Sequence, residues 1–136
     1  MEDVAIQSYA KEIIEMEYKA IKNLGNLIDN SFSDAVNAIY KSKGRVIITG
    51  IGKSAVIATK IVATLNSTGT PAVFMHAADA IHGDLGTILE DDIVICISKS
   101  GNTPEIKVLA PLIKNFKNTL IAITGNKGSF LGQQDD

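Results

Sequence analysis

The feature that most constrains this chain is a set of four short apolar runs, Arg45–Thr49, Ala72–Met75, Ile93–Ile97 and Thr119–Ile123, separated by segments with other patterning. Ile93-Val94-Ile95-Cys96-Ile97 is continuous and mostly β-branched, which suits a strand buried on both faces. Helical spacing follows the first run from Ala55 to about Asn66 and the third from Thr103 to about Phe116, whereas His76 to Gly86 is less regular and carries both histidines. Strands alternating with helices imply right-handed crossovers and a mainly parallel sheet. The expected fold class is therefore α/β, a doubly wound, mainly parallel sheet with flanking helices. At 136 residues the chain is short for a complete set of strands, so an incomplete domain is expected.

Two helices are expected ahead of the repeats. Between Val4 and about Ile28, Ile6, Ala10, Ile13, Ala20 and Leu24 form an apolar stripe, with Ile14, Ile21 and Ile28 beside it. A face that wide exceeds what one small domain covers, so this helix is expected to pack against another subunit. Asn30 to Ser33 offers caps for a second helix through Ala35, Val36, Ile39 and Tyr40, ended by Lys43-Gly44. One domain, 1–136, is expected, with helices in 4–43 and βα repeats over 45–136.

Composition narrows the partners. Thirteen Lys and Arg against fifteen Asp and Glu give a net charge of -2, so no basic field recruits nucleic acid or an anionic membrane. An anionic ligand must be held locally. The single cysteine, Cys96, sits inside an apolar run, where a small buried thiol is expected rather than a nucleophile. The start Met1-Glu2-Asp3-Val4 does not read as a secretory leader, and no segment approaches the ~18 apolar residues of a membrane span. A soluble, cytoplasmic protein is expected.

In open parallel sheets the ligand lies beyond the carboxyl ends of the strands. Loops beginning at Gly50, His76, Ser98 and Thr124 would gather Lys53, Ser54, His76, His82, Ser98, Ser100, Thr103 and Glu105 on one rim. The run Ser98-Lys99-Ser100-Gly101-Asn102-Thr103-Pro104-Glu105 reads as an anion cradle, with Thr103 as side-chain N-cap, Pro104 where its missing N–H costs nothing, and a helix start whose free N–H groups attract phosphate. The glycines of Gly50-Ile51-Gly52 let backbone approach a ligand, and Lys53 projects a charge over the same rim. A P-loop is excluded, because its first glycine would fall on Ile47. A dinucleotide site is disfavoured, because the second strand ends at Met75-His76 with no carboxylate for a ribose. His82, between Ile81 and Gly83, is suited to proton exchange near neutrality or to a structural bond with a carbonyl. Glu105 is either a carboxylate base or an acidic residue stabilised by the helix dipole. His76 is an isolated candidate metal contact.

Four motifs in order and spacing, Gly50-Ile51-Gly52-Lys53-Ser54, Ser67-Thr68-Gly69-Thr70-Pro71, His82-Gly83-Asp84-Leu85-Gly86 and Ile97 to Ile106, closely resemble the SIS (sugar isomerase) domain of bacterial arabinose-5-phosphate isomerases. The resemblance covers about residues 6 to 130. It implies a flavodoxin-like three-layer sandwich that interconverts D-ribulose 5-phosphate and D-arabinose 5-phosphate through an enediolate, supplying Kdo for lipopolysaccharide or capsule. It also implies a cytoplasmic homotetramer with no cofactor. The family's catalytic lysine, histidine and glutamate fall on Lys53, His82 and Glu105, and its sugar-contacting pair falls on Gly69 and Thr70. Its phosphosugar loop falls on Ser98, Ser100 and Thr103, with Gly52 and Ser54 beside it, and His76 matches a position associated with inhibitory zinc. The family's fifth strand, second catalytic glutamate and second histidine, and paired CBS modules have no counterpart before Asp136. The alternatives are a non-catalytic phosphosugar-binding module or regulator and a hexulose-phosphate isomerase of the same fold.

Overall fold

The computed structural model describes residues 3–134 and divides into two compact units, one ending at Ala35 and the next starting at Val36. In the first, α1 (Asp3–Leu24) ends four residues before its apolar stripe does, because Gly25 opens a 3-10 turn over Gly25–Leu27. None of its residues is buried, and Ile14 and Ile21 are about two-thirds exposed. The cap of α2 (Asn30–Lys41) is Asp29 rather than a residue of 30–33: its Oδ1 accepts from Ser31 N–H at 3.0 Å and from the Ser31 hydroxyl.

The second unit holds a four-stranded parallel sheet in the order β2-β1-β3-β4, with β1 at Val46–Gly50, β2 at Ala72–His76, β3 at Ile93–Ser98 and β4 at Leu120–Thr124. The register sets Ile48 beside Phe74 and Ile95, and Cys96 beside Ala122. β1 and β3 are buried throughout, as their continuous β-branched runs require. Strand alternation sends Ile47, Val94 and Cys96 to one face, where they meet Ile106, Leu109 and Ile113 of α5 (Pro104–Asn115). Val46, Ile48, Ile95 and Ile97 face the other way, onto Ala58 and Leu65 of α3 (Lys53–Ser67). Each fully buried Ile or Leu contributes about 1.5–3 kcal/mol relative to exposure, so these two cores fix the three-layer sandwich.

The stretch 76–86 is more ordered than its sequence suggests. It forms a short helix, α4 (Ala77–Ile81), followed by a 3-10 turn over Asp84–Thr87. Ala77 and Ala80 are buried in the first core, so packing supplies the helix that five residues of local propensity do not.

At the amino edge of the sheet a polar knot joins three strand entries. Arg45 pairs with Asp92, whose Oδ1 and Oδ2 also accept the backbone N–H groups of Arg45 and Leu89, both at 2.8 Å. The Asn118 amide donates to the carbonyls of Leu89 and Asp92 at 2.9 and 2.8 Å. Gly44 passes so close to the Asp91 backbone that a Cβ there would overlap it.

Candidate phosphosugar site

The strand order places the functional rim. From β1 the chain crosses to β2 on one side, and then returns past β1 to β3 and β4 on the other, so the carboxyl ends of β1 and β3 flank the topological switch point. A cleft of about 350 Å³ lies there, lined by Ile51 and Ser54 after β1 and by Ile97, Ser98, Lys99, Ser100 and Thr103 at the end of β3 and beyond it. Its size is at the lower end of small-ligand sites.

Local chemistry explains what this wall offers. Gly52 turns the chain at φ 59°, a conformation unfavourable for residues with a Cβ, and α3 begins immediately with Lys53 and Ser54. On the facing wall the Ser98 hydroxyl accepts the Gly101 N–H at 3.1 Å, and the Ser100 hydroxyl accepts the Asn102 N–H at 3.2 Å. A hydroxyl that has accepted from backbone keeps its own proton for another acceptor. Ser98 and Ser100 are thereby set as donors.

Thr103 differs from its sequence reading. It precedes Pro104 at the start of α5, but its side chain makes no capping bond. Pro104 removes one N–H from the first turn, and the Thr103 oxygen is buried without a partner. Two buried side-chain oxygens among the described residues lack a partner, those of Thr49 and Thr103, and only Thr103 lines the cleft. A buried hydroxyl left unpaired costs about 1–3 kcal/mol, so its position on a ligand-sized cleft suits an oxygen that a bound anion would satisfy. The amino ends of α3 and α5, represented in the lining by Ser54 and Thr103, add positive dipole ends.

The structure gathers Ser54, Ser98, Ser100 and Thr103 in one cleft, and Lys99 joins them although sequence reading assigned it no role. Neither Lys53 nor Glu105 lines the cleft: Lys53 precedes Ser54 in the chain and is exposed, and Glu105 lies two residues after Thr103 and is half-buried. Gly52, Gly69, Thr70, His76 and His82 are not in the lining. His82 follows α4 and is exposed, and its imidazole makes no hydrogen bond to the described residues, unlike a structural histidine tied to a carbonyl. Gly69 and Thr70 precede β2 and therefore stand at the amino edge of the parallel sheet, opposite the cleft. There Gly69 has φ 94° and the Thr70 N–H closes α3 on the Leu65 carbonyl at 2.9 Å.

His76 at the end of β2 caps α4, its Nδ1 accepting from the Ala78 N–H at 3.3 Å. Nδ1 as acceptor places the neutral ring's proton on Nε2, so metal ligation through Nε2 requires a tautomer change and loss of this cap. Among the described residues no group of three His, Cys, Asp or Glu is placed to share a metal with it.

The profile of the SIS domain matches residues 38–136. The chain belongs to the SIS-domain family. A probable arabinose 5-phosphate isomerase of Haemophilus influenzae is 42% identical over 127 residues, covering 93% of this chain and 38% of that protein. Arabinose 5-phosphate isomerase KdsD of Pseudomonas aeruginosa is 46% identical over 124 residues, covering 91% of this chain and 38% of the relative. A solved E. coli CFT073 structure in complex with A5P superposes with a TM-score of 0.93 at 37% identity, covering all of this chain and 72% of that one. The chain thus spans about 40% of the length of the curated relatives it matches. No helix among the described residues is long and apolar enough to cross a membrane.

Proposed function

We propose that this SIS domain serves an aldose–ketose isomerase interconverting D-ribulose 5-phosphate and D-arabinose 5-phosphate. The observation that carries the reading is the cleft at the β1/β3 switch point, where two donor-set serines and an unpartnered threonine meet two helix amino ends. Relatives that carry the isomerase name, and a structural neighbour in complex with A5P, narrow the anion to a pentose phosphate.

In this reading Ser98, Ser100 and Thr103 donate to the phosphate, with Ser54 on the opposite wall and Gly52 shaping the turn that leads to it. Isomerisation removes a proton from C1 of the ketose, passes through a cis-enediolate and returns a proton to C2. Glu105 or His82 carries that proton, and Lys53 balances the enediolate charge. No cofactor enters this chemistry.

The same reading includes a cytoplasmic homotetramer that supplies Kdo for lipopolysaccharide or capsule. The uncovered apolar stripe of α1 supports self-association, and the reduced, buried Cys96 is compatible with a reducing compartment.

The deciding experiment incubates ribulose 5-phosphate with the protein in D2O and follows it by NMR. Deuterium at C1 of the ketose and C2 of the aldose, lost in Glu105→Gln combined with His82→Ala, supports the isomerase. The exposure of His82, outside the cleft lining, favours a second reading, a phosphosugar-binding module. Tight binding without exchange would select it.

A further inference from the structure

The phosphate-facing loop is held from behind by the segment that follows β4. Gly125 N–H donates to the Lys99 carbonyl and Leu131 N–H to the Gly101 carbonyl, both at 3.0 Å. One side chain of the loop joins this brace. The Asn102 carboxamide accepts the Phe130 N–H on its oxygen at 3.0 Å and donates through its nitrogen to the Ser100 carbonyl at 3.2 Å. The backbone N–H of the same residue donates to the Ser100 hydroxyl, the bond that sets this hydroxyl as a donor. Asn102 itself is exposed and does not line the cleft, so its contacts are with the loop and the brace.

We infer that Asn102 is a positioning residue, which fixes Ser100 for anion binding by tying it to the Phe130 backbone. The inference rests on the phosphosugar reading of the cleft. An unbraced Ser98–Thr103 loop would have to order its hydroxyls at the moment of binding, and that entropy would subtract from affinity. An asparagine suits the task because one planar group presents an acceptor and a donor at once, which neither alanine nor serine reproduces at that reach.

The test is a double-mutant cycle read by calorimetric titration of inorganic phosphate into the full chain. Asn102→Ala should weaken binding about tenfold in the parent and less than about twofold in a Ser100→Ala background, since losses routed through one group do not add. With ribulose 5-phosphate the KM should rise by the same factor while kcat moves far less. Unchanged phosphate affinity in folded Asn102→Ala, or an equal loss in both backgrounds, overturns the inference. If Asn102→Ala does not fold by circular dichroism, Asn102→Ser takes its place in the cycle with the same expected outcomes. A parent protein that binds neither phosphate nor sugar phosphate overturns the phosphosugar reading and this inference with it.

Discussion

The Arg45 guanidinium grips both oxygens of the Asp92 carboxylate, Nε 3.2 Å from Oδ1 and Nη2 2.6 Å from Oδ2, where β1 and β3 begin. Burial of Asp92 pushes its pKa up. The hydrogen bond from Arg45, the backbone N–H groups of Leu89 and Arg45, and the Arg45 charge outweigh it and hold the carboxyl below its ordinary value. A carboxyl depressed in the folded state stabilises above its unfolded pKa, about 3.9, and loses that contribution as pH falls through the folded value. Asp92→Asn should cost about 1–2 kcal/mol at pH 7, because it removes the charge from a buried acceptor of several hydrogen bonds while water still reaches the partly exposed guanidinium. Urea midpoints should therefore differ most at neutral pH and converge as pH falls below the unfolded value and through the depressed folded value, where the parent carboxyl takes up its proton. Equal midpoints at pH 7 would remove the knot's structural role.

Thr103 sets stability against binding. Its buried oxygen has no partner in the ligand-free chain, so Thr103→Val keeps the shape and removes a desolvated hydroxyl. The variant should match or exceed the parent by up to about 1 kcal/mol in urea unfolding, and should bind inorganic phosphate about tenfold more weakly. A variant that is both less stable and unimpaired in phosphate binding would contradict the assignment.

Cys96 should be chemically silent. It is fully buried in β3, and burial pushes its thiol up to about 12. The thiolate is the reactive form, so iodoacetamide at pH 8 should leave the folded protein unmodified and label it fully in denaturant. Stoichiometric labelling of the native chain, followed by mass spectrometry, would show that β3 opens or that the thiol is not buried.

Short apolar runs made all four strands legible, most clearly β1 and β3, where cover on both faces needs a continuous apolar stretch. Strand neighbours were not written in any one run; the order β2-β1-β3-β4, and with it the switch point, lies in pairings between segments far apart in the chain. α4 escaped because five residues are too few for a helical period. The Arg45–Asp92 pair escaped because its members lie 47 residues apart with no local signal. In the site, the Ser98–Thr103 loop was legible from its hydroxyls and from the strand that precedes it. The Thr103 cap was misread: the Thr-Pro pair marked the helix start correctly, but the hydroxyl turned inward instead of bonding the first turn. Lys99, inside the same run, had no local signal of its own to mark it as part of the cleft. The separation of Gly69 and Thr70 from the cleft follows from strand direction alone, since residues that precede a parallel strand stand at its amino edge.

Gly101 and Ser129 supply the sharpest steric test. Gly101 is buried at φ 65°, and a Cβ there would overlap the Ser129 hydroxyl and stand 2.9 Å from the Thr124 Oγ1. Ser129 has little freedom to yield, because its oxygen accepts the Gly132 N–H at 3.2 Å and lies 3.5 Å from the Thr124 hydroxyl. Gly101→Ala therefore meets two penalties: about 1–3 kcal/mol of overpacking against Ser129, and about 1–2 kcal/mol for a Cβ in the left-handed region. Ser129→Gly removes only the first. Adding Gly101→Ala to a Ser129→Gly background should then cost about 1–2 kcal/mol, clearly less than in the parent. Urea unfolding of the four proteins measures both differences. An identical cost in the two backgrounds would mean that backbone conformation alone requires glycine at 101, and that the segment after β4 does not press on the loop.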